Sequence, residues 1–258
     1  MAVVGVTVCT GGWFGLRIDE DWGRPPSAVV FPDLTSLMDA CGDASRVLVG
    51  MPIGLQDVRH PTRDTFHLAR DLLKPLRHNS VFPVPSRAAV EAFRAGRAST
   101  YEALSELNHR ELGKRLSKQS ASMVPKIAEL DALMLGDADA RGKIREAHRE
   151  LCFWGLNGGR PLTHAKTQPM GIEERRRVLS RYLPWAEEFL DDARGEMRPQ
   201  LPPAVVVDAL ATALTAMPAH PSLSGLRSIP TRPQRDARGL PMEMVYQLSR
   251  WTADMDAV

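Results

Sequence analysis

The chain has 258 residues, of which 43% are hydrophobic, and its 33 Lys and Arg against 31 Asp and Glu give a net charge of +2. A chain of this size and composition can bury a hydrophobic core without disulfides. Its small net charge excludes binding to nucleic acid by bulk attraction alone, but it does not exclude binding in a local basic groove. No apolar run reaches the roughly 20 residues that cross a bilayer. Three scattered cysteines form no paired motif, which is typical of reduced thiols. We therefore expect a cytoplasmic protein without a membrane partner.

The first fifty residues contain four strand signals and one helix signal. A glycine pair at Gly11 and Gly12 separates two β-branched or apolar runs, which predicts a hairpin. Asp33 precedes a segment with helical spacing and suits its N-cap. The predicted elements are strands at 3–9, 13–18, 27–31 and 46–51 and a helix at 33–41.

Residues 61–142 differ from the rest, because charged stretches there carry apolar residues at helical spacing without a strand signal. We predict a helical insertion into a single domain that spans 1–258. Strand-like alternation returns at 144–154, and helices are predicted at 173–190 and 204–217. Residues 218–258 are predicted as an extended segment that runs over the surface, with a last strand at 242–246.

Common chemical motifs are missing. The chain has no phosphate-binding loop, no dinucleotide fingerprint, no HExxH zinc motif and no GxSxG nucleophile elbow. His148 and Glu150 match the first half of a zinc-deaminase signature, but the second half does not follow. The sequence therefore gives little support to these enzyme classes.

One candidate site consists of Glu146, His148 and Glu150, which alternate along the sequence. In a strand, alternate residues point to one face, so two carboxylates and an imidazole would share one surface. Such a trio could bind a divalent ion or transfer protons. The alternative is the solvated face of an edge strand.

A second candidate is Asp208, the only charged residue in an apolar helix. Thr212 and Thr215 follow it on the same helix face and extend a polar stripe. A buried carboxylate is unfavourable unless it is paired, hydrogen-bonded or bound to metal. Asp208 therefore fits either a catalytic role or a structural ion pair.

The third candidate is a set of basic residues in segments interrupted by glycine or serine. These residue types in loops suit phosphate contacts, and the alternative is a solvated charged face. The set comprises Lys114, Lys118, Lys126 and Lys166.

Ten segments, in order and over nearly the whole chain, resemble domain-of-unknown-function family number 429. They are 5–13 (GVTVCTGGW), 51–55 (MPIGL), 80–87 (SVFPVPSR), 116–119 (LSKQ), 125–127 (PKI), 146–150 (EAHRE), 156–159 (LNGG), 208–210 (DAL), 235–239 (RDARG) and 242–246 (MEMVY). The resemblance implies an α/β, ribonuclease H-like mixed sheet with flanking helices and a helical insertion. It also implies a nuclease-like activity in which clustered carboxylates hold one or two Mg²⁺ or Mn²⁺ ions.

The chain departs from the family pattern at several acidic positions. Thr7 stands where the first strand of the family usually carries Asp, and Gly50 replaces a fourth-strand Asp. Ala204 and Val205 replace an acidic pair before the retained Asp208. A hydroxyl and a residue without a side chain cannot replace two carboxylates as Mg²⁺ ligands. The resemblance therefore implies a degenerate acidic site.

Three hypotheses follow. In the first, a divergent metal-dependent phosphodiesterase uses Asp208, Glu146 and Glu150 as metal ligands and His148 as general acid or base. In the second, a catalytically inactive relative binds a nucleic acid, a nucleotide or a protein partner, and Arg87, Lys118 and Lys126 contact phosphate. In the third, an enzyme of another class acts on a small molecule.

Overall fold

A computed structural model describes residues 1–19, 21–196 and 201–250. The strands are β1 (Ala2–Cys9), β2 (Gly12–Ile18), β3 (Ser27–Phe31), β4 (Ala44–Val49), β5 (Ile144–Glu146), β6 (Leu223–Arg235) and β7 (Pro241–Ser249). The helices are α1 (Leu34–Ala40), α2 (Asp64–Leu72), α3 (Arg87–Arg94), α4 (Tyr101–Leu112), α5 (Lys118–Ser122), α6 (Val124–Gly136), α7 (Ala138–Lys143), α8 (Arg149–Leu156), α9 (Pro169–Ser180), α10 (Ala186–Glu196) and α11 (Pro203–Ala216).

A five-stranded mixed sheet with the order β3-β2-β1-β4-β5 forms the centre of the fold. The first three strands are antiparallel neighbours, whereas β4 is parallel to β1 and β5 is parallel to β4. Helices cover both faces, with α11 and α8 on one and α1, α3 and α6 on the other. This arrangement is a ribonuclease H-like α/β fold, as the sequence predicted. Helices α2–α7 lie between β4 and β5.

The predicted N-terminal hairpin is confirmed, and its glycines explain the turn. Gly11 has a φ of 92° and Gly12 a φ of 146°, which side chains other than that of glycine rarely adopt. A Cβ atom on Gly12 would also lie 2.0 Å from the carbonyl oxygen of Phe31 in β3. The turn therefore allows the third strand to close against the hairpin.

The apolar segment before residue 217 is a helix, also as predicted, and it lies directly on β1. A Cβ atom on Gly5 would be 2.3 Å from the carbonyl oxygen of Ala209 and 2.3 Å from the amide nitrogen of Ala213. Only a residue without a side chain permits this approach. Because Thr7 is two residues further along β1, it lies on the same face and near the first turns of α11.

Three predictions of secondary structure are wrong. The helix predicted at 173–190 is interrupted, because α9 ends at Ser180 and α10 begins at Ala186. The predicted strand at 144–154 ends at Glu146, and residues from Arg149 onward form α8, capped at His148. The predicted surface segment before residue 242 is mostly strand β6, which pairs with β7 in a separate two-stranded sheet. Residues 251–258 of that segment lie outside the described residues.

Among the residues that are described, no helix combines the length and apolar character that a membrane span requires.

Candidate functional site

A cavity of about 250 Å³ opens beyond the carboxyl ends of the parallel strands β1 and β4. Thr7 and Val8 line it from β1, and Gly50 lines it immediately after β4. The carboxyl edge of a parallel pair is the usual ligand-binding edge of an open α/β sheet. We call this cavity the cleft. Its remaining walls come from α5, α6, α8 and α11 and from Lys166, which precedes α9.

Asp208 enters the cleft from α11 and is only 3% exposed. Its Oδ2 atom accepts a hydrogen bond of 2.6 Å from Lys166 Nζ and lies 3.5 Å from Arg149 Nε. Its Oδ1 atom is buried and has no hydrogen-bond partner in the described part of the chain. The ion pair that a buried carboxylate requires is therefore present, and two cations share one of the two carboxylate oxygens.

Lys126 brings a third cation to the cleft from α6. Its ammonium group lies 4.9 Å from the ring centroid of Trp13 and 2.9 Å from Glu129 Oε2. The other oxygen of Glu129 accepts hydrogen bonds from the Trp13 indole and from the Leu34 amide. These contacts hold Lys126 at the wall of the cleft, with its three donors only partly used. The three cations of the cleft are thus paired with Asp208 or with Glu129, which does not itself line the cleft.

The residues of the cleft do not fit a two-metal centre. Thr7 contributes a buried hydroxyl without a hydrogen-bond partner, and Gly50 contributes no side chain. Among the described residues, Asp208 is the only carboxylate that lines the cleft, and the two cations beside it oppose the binding of another cation. Among the residues that the structure describes, no group of three His, Cys, Asp or Glu side chains is arranged to hold a metal ion.

Glu146, His148 and Glu150 do not share one face, because the strand that would align them ends at Glu146. Glu146 is buried, pairs with the guanidinium of Arg63 and accepts a hydrogen bond from the Ile53 amide at 2.6 Å. Burial raises the pKa of its carboxyl group to about 7, against the attraction of Arg63. Its contacts tie the segment after β4 to β5.

His148 lies at the N-cap of α8. Its Nε2 atom is 3.3 Å from the carbonyl oxygen of Ser80, and because a carbonyl can only accept, Nε2 carries the proton. Burial, and after it the charges of Arg149 and Lys166, lower the pKa of the imidazole to about 3. His148 is therefore neutral near pH 7, and its buried Nδ1 atom has no hydrogen-bond partner among the described residues.

Glu150 is buried and pairs with Arg175 at 2.6 Å. Arg175 is fully buried and also donates to the Gly171 carbonyl oxygen at 2.8 Å. The three predicted metal ligands thus have separate cationic partners: Arg63 for Glu146, Arg175 for Glu150, and Lys166 with Arg149 for Asp208.

The predicted phosphate contacts lie in different environments. Arg87 is buried and forms ion pairs with Asp131 and Asp236, so its charge is neutralised inside the fold. Lys114 and Lys118 are exposed and line no part of the cleft. Lys126 and Lys166 do line it.

Arg149 is a charged residue of the cleft that the sequence did not indicate. It stands between His148 and Glu150, and in the predicted strand it would point to the opposite face from them. As the first residue of α8, it reaches Asp208 on α11 across the cleft.

Comparison with known families agrees with the resemblance seen in the sequence. The family model described as a protein of unknown function (DUF429) matches residues 5–235. The chain belongs to the DUF429 family. No curated protein and no solved structure matches it. The match covers β1 through β6, and it therefore includes every residue of the cleft named above.

Proposed function

We propose that this DUF429 protein is a catalytically depleted relative of ribonuclease H-like nucleases that binds phosphate groups of a nucleic acid or nucleotide in the cleft. The observation that carries the proposal is that Lys126, Arg149 and Lys166 all line the cleft, whereas Asp208 is its one lining carboxylate among the described residues. The substitutions at Thr7 and Gly50 support the loss of the ancestral metal chemistry.

The chemistry of the three cations favours a phosphate ligand. An ammonium group has three donors and a guanidinium group has five, whereas Asp208 occupies one donor of Lys166. The remaining donors can bind phosphate oxygens, as basic side chains do in nucleic-acid complexes. Both lysine side chains are about a quarter exposed, 24% for Lys126 and 28% for Lys166, so a ligand can reach them. Asp208 keeps Lys166 and Arg149 in place before the ligand arrives, and Glu129 does the same for Lys126.

Binding of nucleic acid should depend on salt and on the cleft lysines. In fluorescence anisotropy with labelled single-stranded DNA and RNA, Lys126→Gln and Lys166→Gln should each weaken binding about tenfold. Each should also reduce the slope of log K against log salt by about 1. Lys118→Gln is the matched control, because Lys118 is exposed outside the cleft, and it should bind like the wild type. An equal loss of affinity in all three variants, or an affinity that does not change with salt concentration, contradicts the proposal.

Hydrolysis through a divalent ion is the second candidate function, and the unpartnered Oδ1 atom of Asp208 is the observation that favours it. Under our proposal, EDTA leaves nucleic-acid affinity unchanged, and Mn²⁺ or Mg²⁺ supports no cleavage of DNA, RNA or a hybrid. Cleavage that requires Mn²⁺ and disappears in Asp208→Asn, with binding retained, would establish hydrolysis instead. Gel analysis of end-labelled substrates measures both outcomes.

A further inference from the structure

A second cavity, of about 70 Å³, adjoins the cleft. Gly50, Met51, Gln119, Met123 and Arg149 line both cavities, so the two are adjacent. We call the second cavity the side chamber. Its other lining residues are apolar at Pro52, Val81, Phe82, Val84, Ala147 and Met244, and polar at Ser80, Glu146 and His148. The cleft therefore adjoins a smaller space whose walls are mostly apolar and whose one carboxylate among the described residues, Glu146, is paired with Arg63.

The volumes indicate a ligand that occupies both spaces. The cleft has about 250 Å³ and the side chamber about 70 Å³, which is about 320 Å³ together. Small-molecule sites have volumes of about 300–1,000 Å³ and combine apolar walls with a few polar groups. The side chamber alone has room for about five water molecules. It can take a ring only as part of a larger ligand that extends into the cleft.

The side chamber has the groups that bind a planar heterocycle. Phe82 is partly exposed there, and an aromatic face stacks on nucleobases irrespective of their sequence. Three methionines, Met51, Met123 and Met244, offer polarisable sulfur atoms to an aromatic ring. Because His148 is neutral, it adds a second ring to the wall without adding charge.

Gln119 stands at the border of the two cavities, and its side chain is exposed. Within the described ranges, its carboxamide group makes no hydrogen bond to another residue. A free carboxamide has both a donor and an acceptor, the combination that side chains use to read the edge of a base. Gln119 can therefore contact the edge of a ring in the side chamber.

We infer that the cleft and the side chamber together bind a nucleotide, with the phosphate at Lys126 and Lys166 and the base against Phe82 and Gln119. The inference rests on the proposed function and names its ligand. A free nucleoside monophosphate and the terminal nucleotide of a strand share this chemistry.

Isothermal titration calorimetry with the four ribonucleoside 5′-monophosphates, ribose 5-phosphate and inorganic phosphate tests the inference. At least one nucleotide should bind about tenfold more tightly than ribose 5-phosphate, because stacking of the base adds to the phosphate contact. Phe82→Ala should remove most of that difference and leave ribose 5-phosphate unchanged. Phe66→Ala is the matched control, because Phe66 is also partly exposed and lines neither cavity. Gln119→Ala should change the preference among the four bases. Because Gln119 is exposed, this substitution leaves the packing of the core unchanged.

The outcomes separate the inference from the proposed function. Equal affinities for nucleotides and ribose 5-phosphate, both weakened by Lys166→Gln, overturn the inference and leave phosphate binding in place. No binding of any phosphate compound overturns both. A 5′-phosphorylated trinucleotide that binds more tightly than every monophosphate identifies a strand end as the ligand, and equal binding identifies the free nucleotide.

Discussion

Replacement of Gly5 by alanine should lower the free energy of unfolding by about 3 kcal/mol or more, the upper part of the range for overpacked cores. The added Cβ atom would lie 2.3 Å from two backbone atoms of α11 and 2.8 Å from the Ala213 Cα atom. Backbone atoms cannot move aside as a flexible side chain can, so the whole helix must shift from β1. Urea unfolding followed by circular dichroism measures the change.

Gly142→Ala is the control for this effect. Gly142 lies in α7 and is exposed, and an added methyl group there would meet no neighbouring atom within 4 Å. Alanine is the better helix former, so this variant should be unchanged or more stable by about 0.5–1 kcal/mol. If Gly5→Ala is as stable as Gly142→Ala, α11 does not lie against β1 as described.

The same contact determines the site. Asp208 is carried by α11 and Thr7 by β1, and both line the cleft only because the helix approaches the strand so closely. A shift of α11 would also separate Asp208 from Arg149, which lies on α8. The fraction of the Gly5→Ala variant that still folds should therefore bind nucleic acid more weakly than the wild type.

The first four strands and α11 could be predicted because their signals are local. The glycine turn, the Asp33 cap and the apolar run before residue 217 each depend on neighbouring residues. Strand β5 and helix α8 could not be separated, because β5 has only three residues and the helix begins shortly after it. A short apolar segment with mixed spacing fits either structure. Pairing with β7, rather than local sequence, forms β6 from a segment rich in Pro, Gly and Arg.

The site could be predicted from the sequence only where the charge of one residue differed from the apolar character of its neighbours. Asp208 stood out as a lone charge in an apolar helix, and the structure places it in the cleft. The partners of Glu146 and Glu150 could not be found, because Arg63 is 83 residues from Glu146 and Arg175 is 25 residues from Glu150. Such pairs depend on the fold, and the sequence contains no spacing rule for them.

Protonation of His148 should make the protein less stable in acid. The pKa of its imidazole is about 3 in the folded chain, against an ordinary value of 6.5. Between these values the unfolded chain binds a proton that the folded chain does not, so stability falls as pH falls below 6.5. The slope is about 1.4 kcal/mol per pH unit for one proton. His148→Gln removes this contribution.

Glu146 acts in the opposite direction, so the wild type alone cannot show the effect. Its pKa of about 7 exceeds the ordinary 4.5, so its contribution to stability is complete below pH 4.5 and is lost as pH rises towards 7. The two groups offset each other between pH 4.5 and 6.5. The comparison of wild type with His148→Gln cancels Glu146, and urea unfolding at several pH values should show the wild type losing stability relative to the variant as pH falls. Parallel curves of stability against pH for the two proteins would mean that His148 has the same pKa in the folded and unfolded chains. His148 would then not be the uncharged ring that lines the side chamber.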